Sequence, residues 1–130
     1  MVSKVVHFNE VPIQKLKGRD LCMMITENTV GAKKMSGGIL WMQPGEVVKP
    51  CHAHLNEEEI LYIIKGEGKV WIDGEIYEVK TGDCVFFPAG SKHMLKNVGK
   101  SVMQVFFIYS PPTEPSKYEY YPDIDFPTNQ

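Results

Sequence analysis

Residues 45–66 read GEVVKPCHAHLNEEEILYIIKG, and residues 82–97 read GDCVFFPAGSKHMLKN. Side chains two positions apart on an extended strand point to the same face, so His52 and His54 flank a common point. A tight turn after His54 would bring the following apolar run back beside them, and Glu59 opens that run. The first block therefore predicts two imidazoles and one carboxylate at a single site.

The second block supplies a fourth candidate. His93 follows the segment Pro88-Ala89-Gly90-Ser91. The fixed φ of proline and the conformational freedom of glycine make a sharp turn there, which can aim a side chain into an interior. Three neutral imidazoles and one carboxylate suit borderline divalent ions, so the sequence predicts one ion per chain from the set Mn, Fe, Co, Ni and Zn. An ion that accepts five or six ligands would keep one or two positions for water or substrate.

The two blocks resemble the two motifs of the cupin superfamily. The positions that match the second motif are Gly82, Pro88, Gly90, His93 and Asn97, and those that match the first are His52, His54, Glu59 and Gly66. The first motif departs at its start, because six residues instead of five separate Gly45 from the first histidine. Cys51 stands where the family spacing would place that histidine.

This resemblance implies an all-β, antiparallel double-stranded β-helix, the jelly-roll barrel of cupins, in a single domain. It also implies that the metal ligands are His52, His54, Glu59 and His93. We place the barrel in residues 1–110, which include both motifs, and a separate C-terminal tail in residues 111–130.

Side-chain alternation extends the site beyond the ligands. Asn97 has the same strand parity as His93, so its amide either hydrogen-bonds to substrate or to a ligating histidine, or caps a turn. Leu61 and Leu95 are then expected to form an apolar wall of the pocket.

The remaining histidine and the cysteines are interpreted as structural. His7 lies outside both motifs. Cys51 faces away from the histidines by alternation, whereas Cys22 and Cys84 are expected to be small core residues. Three cysteines without paired spacing argue against a disulfide framework and for a reducing compartment.

Composition restricts the possible partners. The chain has 130 residues, enough for one domain, with a formal net charge of −2 and no basic stripe. Binding to nucleic acid or to an anionic membrane is therefore not expected. The N-terminus lacks an apolar signal core, and no apolar run approaches the roughly 20 residues of a membrane span, so we expect a cytoplasmic protein.

Short apolar and β-branched runs between turn residues predict an all-β fold. The predicted strands are residues 2–9, 20–27, 35–43, 69–72, 75–79, 85–87, 93–98 and 102–109. Asp73-Gly74 between two of them indicates a two-residue hairpin of type I′. Residues 28–34 are predicted to form a loop, and no segment has a sustained helical period.

The strand that begins at Glu59 predicts an interface. Leu61 and Ile63 share the face of Glu59, whereas Ile60 and Tyr62 lie on the opposite face, so both faces are apolar and both need cover. Since cupins commonly pair, we expect a homodimer, with Tyr62 at an interface rather than in catalysis.

The tail differs in composition from the rest of the chain, because proline, tyrosine and acidic residues dominate it. Its prolines exclude a central strand. We expect it to pack on the barrel or on a partner, with Tyr118, Tyr120 and Tyr121 as anchors, since aromatic residues are scarce in disordered tails.

Three functions fit these features. The first is a metal-dependent oxygenase or other oxidoreductase acting on a small organic acid, diketone or phenol. The second is an isomerase, epimerase or lyase, which needs an additional acid–base group that the motifs do not assign. The third is non-catalytic ligand binding, whose mark would be a closed pocket without room at the metal. A divalent ion with one carboxylate keeps a net positive charge, which favours ligands with anionic oxygen donors.

Overall fold

The computed structural model describes residues 3–128 as two antiparallel sheets that face each other. The strands are β1 Gln14–Leu16, β2 Arg19–Ile25, β3 Ser36–Met42, β4 Cys51–Ala53, β5 Glu58–Lys65, β6 Glu67–Ile72, β7 Glu75–Lys80, β8 Cys84–Phe87, β9 His93–Asn97, β10 Met103–Ser110 and β11 Glu119–Tyr121. The helices are short: α1 is Glu27–Val30, and 3₁₀ turns span Phe8–Glu10 and Pro115–Lys117. Among the described helices, none has the length and apolarity needed to cross a membrane.

The order of the strands is that of a jelly-roll barrel. One sheet has six strands in the order β1-β2-β3-β10-β5-β8, and the other has five in the order β11-β4-β9-β6-β7. Strands distant in sequence are thus neighbours, and both sheets contribute side chains to one core between them. The predicted all-β fold is confirmed.

Alternation along β5 explains how the core forms. Glu59, Leu61 and Ile63 are buried between the sheets, whereas Ile60 and Tyr62 are each 44% exposed on the outer face. This is the division of faces predicted from the sequence. The same alternation on β10 turns Tyr109 inward and buries it.

The hairpin between β6 and β7 has the predicted form. Asp73 and Gly74 have φ angles of 46° and 97°, and both type I′ turn positions require positive φ. Trp71 pairs with Ile76 and Ile72 with Glu75 across the turn.

The tail packs on the barrel through an added strand and a second hydrophobic cluster. β11 pairs antiparallel with β4 at the edge of the five-stranded sheet. Cys51, Met94 and Phe126 form the buried centre of the cluster, with Tyr121 packed against it. Cys51 therefore belongs to packing under the tail, in agreement with its interpretation as structural.

Four predictions from the sequence are wrong. The run that Glu59 opens does not fold back beside the strand of His52 and His54, because β5 belongs to the six-stranded sheet and β4 to the five-stranded sheet. Within the described part of residues 2–9 there is no strand; residue 2 lies outside the described residues, and Phe8 and Asn9 belong to a 3₁₀ turn. The expected loop at 28–34 begins inside α1, because Thr26 accepts a hydrogen bond from the Thr29 N–H and caps that turn. Cys84 is exposed rather than in the core, since it lies opposite the outward-facing Tyr62.

Candidate metal centre

The three motif histidines come together because β4 lies beside β9. His52 is the antiparallel partner of His93. The Gly90 N–H donates a hydrogen bond of 2.8 Å to the His54 carbonyl, which fixes the turn before β9 against the end of β4. The φ of Gly90 is 82°, a conformation that glycine adopts without steric cost.

The candidate ligands form a compact buried group. One nitrogen from each of His52, His54 and His93 lies within 4.8 Å of the other two. Glu59 Oε1 is 3.0 Å from His54 Nε2 and 3.4 Å from His93 Nε2. None of the four residues is more than 5% exposed. The structure therefore brings the three predicted histidine ligands into one group, with Glu59 beside His54 and His93.

Their polar atoms fit a cation, since they lack other partners. Glu59 Oε1, His93 Nε2 and both ring nitrogens of His54 are buried without a hydrogen bond, as is His52 Nδ1. Leaving a buried polar group unpaired costs about 1–3 kcal/mol, so an occupant shared by one nitrogen of each histidine and by Glu59 would be stabilised here; only one of the two His54 nitrogens can face it. Imidazole nitrogen with one carboxylate is a donor set for divalent transition metals.

The protonation states favour metal binding. Burial, together with the neighbouring His93 and His54, holds the pKa of His52 well below its ordinary value, so its ring is neutral. His93 Nδ1 lies 3.1 Å from the Ser91 carbonyl, which can only accept, so this nitrogen donates and Nε2 keeps its lone pair. Burial would raise the pKa of Glu59, but His54 and His93 lower it overall, and the carboxylate stays ionised.

The group opens on a small internal space that we call the histidine cavity. Its volume is about 30 Å³, room for only one or two water molecules. Leu61 and Leu95 lie in its wall, where the sequence placed them. The cavity therefore leaves little free space beside the candidate ligands.

Asn97 does not line this cavity. Its amide donates to the carbonyls of Met42 and Ser101, at 2.9 Å each, and accepts from the Gly99 N–H. All of this hydrogen bonding is to the backbone, which matches the turn-capping alternative. The expected pocket role is not seen, because the Asn97 side-chain amide donates its hydrogen bonds to backbone carbonyls instead.

Two tyrosines, neither assigned to the site from the sequence, complete the cavity wall. Tyr118 stacks on the ring of His52 at 4.9 Å and meets the edge of His54 at 4.3 Å. Its hydroxyl hydrogen-bonds to that of Tyr109, and both residues are buried. Tyr118 was expected to anchor the tail, but no local pattern reveals that the tail reaches the histidines.

Arg19 is a third residue at the site that the sequence motifs did not assign to it. It is buried at the start of β2 and lines the histidine cavity. Its alternation with Leu21, which also faces inward, was the one available signal.

The family model for the cupin domain matches residues 38–109, more than half of the chain. The chain belongs to the cupin family. Among curated relatives, this cupin is 32% identical over 111 residues to the polyketide synthase CurC of Streptomyces cyaneus, covering 85% of this chain and 71% of the relative. It is also 35% identical over 63 residues to an oxalate-binding protein of Thermotoga maritima, covering 48% and 51% of the two chains.

A solved structure supports the same fold at lower identity. The cupin superposes on Streptomyces PAC13 with uridine at a TM-score of 0.78, covering 92% of each chain with 12% identity. At this identity the likeness shows the fold alone.

Proposed function

We propose that this cupin binds one divalent transition-metal ion through His52, His54, Glu59 and His93, and acts through it on a small molecule with anionic oxygen donors. The observation that carries the proposal is the set of buried nitrogen and oxygen atoms without hydrogen-bond partners around one point. A cation would satisfy them together, and its remaining charge would favour an anionic ligand.

The reaction we favour is an O₂-dependent oxidation of an enolisable diketone or a phenol by an iron or manganese centre. A bound metal would polarise the ligand oxygens and lower their pKa. The relative named as a polyketide synthase protein supports this substrate class, because polyketides carry 1,3-dicarbonyl and phenolic groups. The chain itself would supply an apolar, water-poor wall from Leu61, Leu95 and Phe107.

Non-catalytic binding is the second candidate, since the histidine cavity is small and Tyr118 closes it. The relative named as an oxalate-binding protein supports the same candidate. An isomerase, epimerase or lyase is less well supported. Tyr109 and Tyr118 line the cavity, but their hydroxyls hydrogen-bond to each other and burial raises the pKa of both, so they are not bases at neutral pH.

Oxygen consumption separates these candidates. Protein reconstituted with iron or manganese would be assayed with an oxygen electrode against acetylacetone, catechol and oxalate, with His93→Ala as the variant and His7→Ala as the control. We expect uptake with a diketone or phenol in the wild type and in His7→Ala, and none in His93→Ala. Metal-loaded wild type that binds these compounds without uptake would instead support the binding function.

We also propose that the protein is a cytoplasmic homodimer that pairs through the outer face of the six-stranded sheet. Ile60, Tyr62 and Phe86 are exposed on neighbouring strands of this face, which leaves a contiguous apolar patch. Sedimentation should show a dimer that Tyr62→Lys dissociates. Tyr77→Lys is the matched control, because Tyr77 is similarly exposed on the other sheet.

A further inference from the structure

A surface pocket with basic walls lies next to the histidine cavity, and we call it the basic pocket. It has a volume of about 280 Å³, and its lining residues are Leu16, Lys17, Arg19, Lys49, Pro50 and Tyr120. Three of these are cationic and none is acidic. The pocket therefore suits an anion and is large enough for a small organic molecule.

Arg19 joins the two spaces, because it lines both. Only 6% of the residue is exposed. Its Nη1 donates to the carbonyls of Lys17 at 3.0 Å and Lys49 at 3.5 Å, which ties together two walls of the basic pocket. Since both hydrogen bonds use Nη1, the donors on Nη2 and Nε remain for a ligand and for the adjacent Tyr120 hydroxyl.

The charge of Arg19 is not neutralised within residues 3–128. No carboxylate of these residues lies within 4.0 Å of the guanidinium, and the neighbouring Asp20 pairs with Lys15 instead, at 2.8 Å. A buried charge is costly unless it is paired. Arg19 also lines the histidine cavity together with His52 and Glu59, so its charge lies close to the candidate ligands.

We propose that the basic pocket binds the carboxylate of a small organic acid, with Arg19 as the positioning residue. The planar guanidinium matches a carboxylate and holds it at the boundary of the histidine cavity, while Lys17 and Lys49 attract it electrostatically. The rest of the ligand lies in the basic pocket beside Leu16, Pro50 and Tyr120. This carboxylate site does not need the metal of the proposed function.

A purely structural role for Arg19 predicts a different result. If the guanidinium served only to join the Lys17 and Lys49 carbonyls, the pocket would not distinguish a carboxylate from a neutral amide of the same shape. Benzoate and benzamide are such a pair.

The test measures binding of benzoate and of benzamide to the full-length protein by isothermal titration calorimetry, after removal of metal with a chelator. The variants are Arg19→Gln, Arg19→Lys, Lys17→Gln and Lys49→Gln. Lys100→Gln is the control, because it removes one positive charge from an exposed loop residue that lines neither pocket.

We expect wild type to bind benzoate at least tenfold more tightly than benzamide. Arg19→Gln should weaken benzoate binding by about tenfold or more, the loss expected for a charge-assisted hydrogen bond. Arg19→Lys should be intermediate, and each pocket lysine should cost about two- to fivefold in a salt-dependent manner. Benzamide binding should not change, and Lys100→Gln should match wild type.

Equal binding of benzoate and benzamide, or no measurable benzoate binding to wild type, would overturn the inference. The inference would also be overturned if Arg19→Lys and Lys17→Gln bound benzoate as tightly as the control Lys100→Gln. These two milder variants decide the question if Arg19→Gln fails to fold. Metal content, measured separately, distinguishes the two proposals. A protein that loads metal but does not select benzoate refutes the basic pocket alone.

Discussion

Replacing Tyr118 by phenylalanine would leave the Tyr109 hydroxyl without the single hydrogen-bond partner that it has among residues 3–128. Both side chains are buried, so bulk water cannot replace the lost partner. An unsatisfied buried hydroxyl costs about 1–3 kcal/mol, whereas removing both hydroxyls together can be nearly neutral. We therefore expect Tyr118→Phe and Tyr109→Phe each to lower the free energy of unfolding by about 1–3 kcal/mol, and the double variant to lower it by less than either.

Urea unfolding of the metal-free proteins, followed by circular dichroism, gives these free energies. Tyr120→Phe is the matched control on the same tail, because the Tyr120 hydroxyl donates to the Pro115 carbonyl at 2.6 Å but the residue is 39% exposed. Its loss should cost no more than about 1 kcal/mol.

Additive costs in the Tyr109 and Tyr118 double variant would refute this reasoning. They would mean that the two hydroxyls do not face each other and that the tail does not enter the barrel as described. Unfolding free energies equal to wild type in both single variants would lead to the same conclusion.

Three further predictions concern titration, thiols and the tail. Burial raises the pKa of Tyr109 and Tyr118 above the ordinary value of about 10. Their contribution to stability is therefore complete below pH 10 and is lost as pH rises further. The free energy of unfolding should fall more steeply between pH 8 and pH 11 in wild type than in the double variant Tyr109→Phe/Tyr118→Phe. Cys84 is exposed, whereas Cys22 and Cys51 are 0% exposed and burial raises the pKa of both thiols. A thiol reagent should therefore modify one cysteine in the native protein and all three in denaturant. Tyr118→Ala should open the histidine cavity, and a chelator should then remove bound metal faster than from wild type; an unchanged rate would argue against Tyr118 as its cover.

Local sequence patterns were sufficient for the all-β class, whereas the jelly-roll barrel and the full ligand set were implied by the resemblance to the cupin motifs. The period of two along β5 correctly separated Leu61 from Tyr62, because burial on one face imposes that period. His52 and His54 share a face because they lie two positions apart on a strand, whereas His93 joins them through the long-range pairing of β4 with β9.

Features that depend on distant contacts could not be predicted in this way. Tyr118 reaches the histidines only through the pairing of β11 with β4, which the tail sequence does not encode as a pattern. The role of Arg19 follows from the meeting of β2 with the segment before β4, which are about thirty residues apart in the chain. Cys84 was misplaced because its residue type suggested the core, whereas its register opposite Tyr62 turns it outward.

The metal content of the protein decides whether the four candidate ligands hold an ion. Elemental analysis by mass spectrometry would compare wild type with His52→Ala, Glu59→Gln and His93→Ala, using His7→Ala as the control because His7 is exposed and outside the site. We predict about one divalent transition-metal ion per chain in wild type and His7→Ala, and loss of stoichiometric metal in the three site variants. A folded wild type that takes up none of Mn, Fe, Co, Ni or Zn, or site variants that keep full metal content, would contradict the account.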